Sequence, residues 1–259
     1  MASYLQIDKT GKVATVRLNR PDKHNAFDEH LIAELTQAFR DLAGDAAVRV
    51  VVLAANGQSF SAGADLDWMK RMSAMSRAEN ERDAMALADL MEAIDRCPKP
   101  VVGLIQGAAF GGGVGLVACC DIAIASSGAS FSLSEVRLGL IPAVISPYVA
   151  AAIGPRACRR YFLTAERFDA ATAAKLGLVH RVVEAEALEA ARDETIKQLL
   201  TGGPAAQGAA KDLIRRVAGA SIDEALRRDT AGRIAEVRAS AEGKEGIAAF
   251  LEKRKPGWS

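Results

Sequence analysis

The stretch AFGGGVGLVACCD, residues 109–121, carries four glycines and no charge before Asp121. It joins two short runs rich in branched apolar residues, PVVGLIQG ending at Gly107 and DIAIAS beginning at Asp121. Neither run alternates polar with apolar residues, which is the pattern of strands buried on both faces. A strand, a helix and a second strand in this order make a parallel crossover, which commits the chain to an α/β architecture. Glycine inside a helix costs about 1 kcal/mol relative to alanine. Three in a row at 111–113 therefore serve something. Either another element packs close to the bare backbone, or a ligand reaches the N–H groups at the helix start.

The flanking sequence extends this reading. YLQIDKTGKVATVRLN has two alternating runs around Thr10-Gly11 and predicts a β-hairpin. DEHLIAELTQAFRDLA has helical spacing, with Asp28 as its N-cap. VRVVVLAA predicts another buried strand, SFSAGADLDWMKRM a turn into a helix near Asp65, and residues 79–96 a helix ended by Pro98. Past residue 146 strand signals fade except in GLVHRVV. Helices are predicted at 146–153, 155–163, 168–175, 186–200, 204–217, 221–238 and 242–252. The 33 basic and 32 acidic residues leave a net charge of +1, which argues against a nucleic-acid partner. The first residues, MASYLQIDKT, lack the charged-then-apolar pattern of a secretory signal, and no uncharged run is long enough to span a membrane. A cytoplasmic protein is the expectation. Cys97, Cys119, Cys120 and Cys158 form no Cys-x-x-Cys pair, and His24, His30 and His180 have no metal spacing, so buried thiols and no metal are expected.

Three short segments have chemical potential. In SFSAGADL, Gly63 follows a strand and precedes a helix, so the Ala64 N–H faces outward at a helix start. GAAFGGGVGL offers a second amide at a similar junction. Two such donors facing one space make an oxyanion hole, each stabilising developing negative charge by roughly 2.7–4 kcal/mol. A plain turn and close helix packing are the structural alternatives. In FSLSEVRLGLIPAV, Glu135 stands among apolar residues, where burial raises a carboxyl pKa towards neutrality. GVGLVA at 113–118 fits a dinucleotide-binding fingerprint, but it falls inside the helix instead of in the preceding turn. No G-x-S-x-G nucleophile elbow is present.

Taken in order, VRLNRPDKHNAF, FSAGADL, GAAFGGG, CDIAIAS, SEVRLGLIP, LTAERFDAATAAKLGLVHRVV and FLEKRKP resemble the crotonase superfamily of enoyl-CoA hydratases and isomerases. The resemblance implies an α/β core, residues 1–200, wound as a spiral of β-β-α repeats. It also implies a helical region, 201–259, that forms a homotrimer or a dimer of trimers. It places the oxyanion hole on the N–H groups of Ala64 and Gly112 and a catalytic carboxyl on Glu135. Ala62, Asp65, Leu66 and Gly111 would bind the substrate or its coenzyme A, Lys23 would meet the coenzyme A phosphates, and Phe250 and Lys253 would close over the nucleotide, often from a neighbouring subunit; coenzyme A enters as part of the substrate and is the only cofactor implied.

Where the family's hydratases carry a first glutamate, this sequence has Gly115. A single glutamate is more like the family's isomerases, which shuttle one proton along the chain. The wider wording nevertheless resembles the bacterial methylglutaconyl-CoA hydratases of leucine breakdown and their relatives of acyclic terpenoid breakdown. Their acyl chains end in a free carboxylate, which Lys70, Arg71, Arg77 or Arg82 would meet. Asp67, Glu79 and Glu81 are candidates to hold the water in place of the missing glutamate. A noncatalytic acyl-CoA- or RNA-binding protein on the same scaffold is the alternative outside catalysis.

Overall fold

The computed structural model describes residues 3–258. The chain opens with the hairpin β1 (Leu5–Thr10) and β2 (Val13–Leu18), turning through Gly11 at φ +56°. Helix α1 (Glu29–Gly44) follows, and Asp28 caps it by accepting from the Leu31 N–H. Then come β3 (Val50–Ala55), α2 (Leu66–Met72), α3 (Arg77–Asp95), β4 (Val101–Ile105), β5 (Ala108–Phe110), α4 (Gly112–Cys119), β6 (Ile122–Ser126) and β7 (Ser130–Ser132). Beyond a 3-10 turn at Glu135–Leu138 lie α5 (Ser146–Thr164), β8 (Phe168–Asp169), α6 (Ala170–Leu176), β9 (Arg181–Val183) and α7 (Leu188–Thr201). Helices α8 (Pro204–Val217), α9 (Glu224–Ala239) and α10 (Ala241–Leu251) close the chain.

A six-stranded sheet runs β1-β2-β3-β4-β6-β9, parallel throughout except for the first hairpin. Its central strands β3 and β4 are apolar on both faces because both are covered. Val51 and Leu53 face the main core, whereas Val50, Val52 and Ala54 pack with Val102, Leu104 and Ile124 against Ala191 and Ile196 of α7. A smaller sheet, β5-β7-β8, is interleaved with the first. The windings β4-β5-α4 and β6-β7-α5 each supply a longer strand, a short strand and a helix, as the β-β-α spiral predicts, and after β3 the short strand is reduced to a bridge between Ser61 and Ala109.

Backbone hydrogen bonds stack the successive turns. Ser61 N–H donates to Ala108 O (3.0 Å), Phe110 N–H to Ser61 O (2.9 Å) and Gly111 N–H to Ser132 O (2.9 Å). Residues just beyond Ser61, Phe110 and Ser132 are therefore brought to one place, and those residues are the three segments with chemical potential.

The predicted helices appear, most of them displaced by one to three residues. Those at 146–153 and 155–163 form α5 on either side of a kink at Gly154 (φ +73°) and Pro155. The crossover from β4 to β6 also takes an additional short strand, β5, into the second sheet. The fingerprint-like GVGLVA lies wholly within α4, buried except for partly exposed Ala118. The C-terminal helices are tied to the core by Lys211, whose Nζ donates to Asp121 Oδ2 (2.6 Å) and to Lys99 O (3.1 Å). No helix among the described residues is long and apolar enough to cross a membrane, and none of their His, Cys, Asp and Glu residues cluster as a metal site.

Candidate active site

The site begins with the loop from Ser61 to Asp65. Phe27 N–H donates to Gly63 O and Asp65 N–H to Phe27 O, both at 2.7 Å, so the peptide around Ala64 is clamped from both sides. Asp65 is buried and caps α2, accepting from the N–H groups of Asp67 (2.8 Å) and Trp68 (3.3 Å). Arg20 ties this cap to that of α1, pairing with Asp65 (3.2 Å) and Asp28 (3.0 Å) with all three side chains nearly excluded from solvent. The Arg20 guanidinium also lies 4.4 Å from the centre of the Tyr4 ring. Burial acts against the charge on Asp65, yet these donors and Arg20 hold its pKa below the usual carboxylate value.

The second wall comes from the glycine stretch, where each glycine answers to a different neighbour. Gly111 adopts φ +51°, and a methyl group there would sit 3.2 Å from Glu135 Oε1. One at Gly112 would press on the Phe27 ring at 3.0 Å, and one at Gly113 would meet Ser61 O at 2.7 Å. Close packing and ligand access are both served, because the packing draws the two loops together. Among the described residues neither the Ala64 nor the Gly112 N–H has an internal acceptor.

Glu135 follows β7 by three residues and begins the 3-10 turn. Its Oε2 is buried with no hydrogen-bond partner. Burial raises its pKa above 4.5, opposed only by a hydrogen bond to its own backbone.

These groups share a cavity of about 700 Å³, lined by Ala62, Ala64, Gly111, Gly112 and Glu135 with apolar side chains from α2, α3 and the loop 138–145. Five of the expected residues are thus brought together. The others are not. Asp65 is committed to capping and to Arg20, and Leu66 points away and is 76% exposed. Lys23 pairs with Asp67 at 3.6 Å, both exposed. Phe250 and Lys253 lie at the exposed end of α10, outside the lining. Lys70, Arg71, Arg77 and Arg82 are exposed and none lines the cavity; Arg71 is held by Glu29 at 2.7 Å. Nor do Asp67, Glu79 or Glu81 reach it, Glu79 being engaged in the capping box with Ser76.

Gly115 is filled from outside. A methyl group there would lie 2.3 Å from Ile145 Cγ2 and 3.3 Å from Met91 Cε, so the space next to it belongs to Ile145, which itself lines the cavity. The sequence reading missed Asp83, a second carboxylate in the lining, held at Oδ1 by the Trp68 indole N–H (3.2 Å). Helical spacing places Asp83 on one face of α3 with Asn80, Ala84 and Leu87, which together line the cavity, but nothing in so charged a helix marks that face as a site.

A family model described as enoyl-CoA hydratase/isomerase matches residues 8–259. The chain belongs to this family. Among solved structures of the family, an enoyl-CoA hydratase from Shewanella pealeana is 49% identical, with a TM-score of 0.96 over 98% of this chain and 96% of that one. The crotonase fold is thereby established. A short-chain-enoyl-CoA hydratase of Clostridium acetobutylicum is 32% identical over 96% of this chain and 95% of its own length. A crotonyl-CoA hydratase of Syntrophomonas wolfei is 33% identical, with the same coverage.

Proposed function

We propose that this member of the enoyl-CoA hydratase/isomerase family adds water across the double bond of a 2-enoyl-CoA thioester. The observation that carries the reading is the meeting, in one cavity, of two amides without internal acceptors and a buried carboxyl oxygen without a partner. The Ala64 and Gly112 N–H groups bind the thioester oxygen, which gains negative charge as oxygen bonds to the β-carbon and the π electrons move towards the carbonyl. Each donor is worth roughly 2.7–4 kcal/mol in such a transition state. Protonated Glu135 then delivers its proton to the α-carbon and the carbonyl re-forms. Its raised pKa suits that role, since a carboxyl that holds its proton longer is a better acid at working pH.

The lining supports an uncharged acyl chain, because its titratable groups are two carboxylates, with no lysine or arginine. A 3-methylglutaconyl chain, with its terminal carboxylate, is the alternative suggested by sequence resemblance. Gly115 favours a second reaction, migration of a 3-enoyl double bond to the 2-position, for which Glu135 alone would carry the proton. Mass spectrometry after incubation with crotonyl-CoA, 3-methylglutaconyl-CoA and a 3-enoyl-CoA separates these. Gain of one water by crotonyl-CoA, reduced about 10²–10⁴-fold in Glu135→Gln, supports the proposal. No gain with either 2-enoyl thioester, alongside conversion of the 3-enoyl thioester, would replace it with isomerisation.

A further inference from the structure

If water adds to the β-carbon, some group must take its proton, and the position the resemblance assigns to that group is Gly115, closed off by Ile145. The cavity nevertheless contains a carboxylate besides Glu135. Asp83 enters from α3, which follows the Ala64 loop and α2 in the chain and lies apart in sequence from the Gly112 loop and the Glu135 turn. Its Oδ1 accepts from the Trp68 indole, and its Oδ2 has no internal partner among the described residues. Trp68 is 5% exposed and belongs to the first turn of α2, directly after Ala64 and the Asp65 cap. The carboxylate is therefore fixed to the same helix start that presents the first amide. Arg71, the cation whose charge reaches Asp83, is already paired with Glu29, so no free positive charge neutralises the carboxylate.

We propose that Asp83 supplies the second carboxylate of the site, holding the water and taking its proton while Glu135 protonates the α-carbon. This rests on the hydratase reading. In the step, Asp83 Oδ2 removes one proton from water as the remaining hydroxide oxygen bonds to the β-carbon. The electron pair of the double bond passes to the α-carbon and the thioester oxygen, and the α-carbon takes the proton of Glu135. Transfer from Asp83 to Glu135 through solvent restores both groups, so one water is consumed and no net proton. Glu135 has a buried oxygen without a partner, whereas Asp83 is fixed by the Trp68 indole, and the two carboxyl groups thereby take opposite roles in one site.

The two roles come apart experimentally. Exchange of the α-protons of butyryl-CoA in D₂O needs Glu135 and the amides but no added water, whereas hydration of crotonyl-CoA needs Asp83 too. Asp83→Asn is expected to lower hydration at least about 10²-fold and to leave exchange within about threefold of the parent protein. Glu135→Gln should lose both. Trp68→Phe keeps the carboxylate but removes the donor that fixes it; it should slow hydration about tenfold with exchange intact, which guards against a misfolded Asp83 variant. Hydration by Asp83→Asn within threefold of the parent overturns the assignment, as does unchanged hydration by Trp68→Phe. Equal loss of exchange and hydration in both variants also overturns it, since it marks a structural role. A parent protein that exchanges but never hydrates removes the hydratase reading itself, an outcome distinct from the others because it appears without any substitution.

Discussion

Burying a carboxyl group with one oxygen unpaired penalises its charged form, and Glu135 is in that position. Stability should therefore depend on pH in a set direction. Between 4.5 and the raised value in the folded protein, the unfolded chain has released a proton that the folded one still holds. Stability falls as pH rises through that window and does not recover above it. Glu135→Gln removes the penalty. Its melting temperature should exceed that of the parent at pH 8, with the advantage vanishing below pH 4.5; equal melting at pH 8 would mean the carboxylate finds a partner in solution. At this scale Glu135 could be read from its apolar neighbours, and the two amides from glycines at helix starts. Asp83 could not. A carboxylate in a helix as charged as RAENERDAMALADLMEAID looks like solvated surface until the Trp68 indole, fifteen residues earlier, is seen donating to it.

The elements that carry these groups are set by caps and short pairings. Arg20 joins the N-termini of α1 and α2 by balancing Asp28 and Asp65 at once. Arg20→Ala would leave two buried carboxylates unbalanced, a change that typically costs about 3–5 kcal/mol. Urea denaturation should show that loss, and hydration of crotonyl-CoA should fall with it as the Ala64 peptide loosens; a loss below 1 kcal/mol would show that water replaces the guanidinium. The same cap shows what the Asp65 side chain does: its carboxylate holds the loop that forms the site. Helices and long strands were legible because their spacing repeats over many residues. Strands β5, β7 and β8 have two or three residues each and exist through hydrogen bonds to neighbouring turns, which leave no local pattern to read.

For the whole molecule, the C-terminal region presents Ile214 on α8, Ile222 in the loop before α9, and Ile247, Phe250 and Leu251 on α10 to solvent, each more than half exposed. Large apolar side chains left exposed are what a contact between chains would cover, so we propose that copies associate through the C-terminal region. Light scattering should give three or six times the 27.3 kDa chain mass, and Ile222→Asp with Phe250→Asp should lower it; a monomer in the parent protein would leave Phe250 and Lys253 with no route to a neighbour's coenzyme A. The stacking of turns has a consequence for time as well as for shape. Ala64, Gly112 and Glu135 come from three successive windings, each registered on the next by backbone hydrogen bonds. Such long-range registrations form late in folding compared with helices. A refolding chain will regain its helical signal while still inert, and enzymatic activity becomes the clock that marks the closing of the last winding.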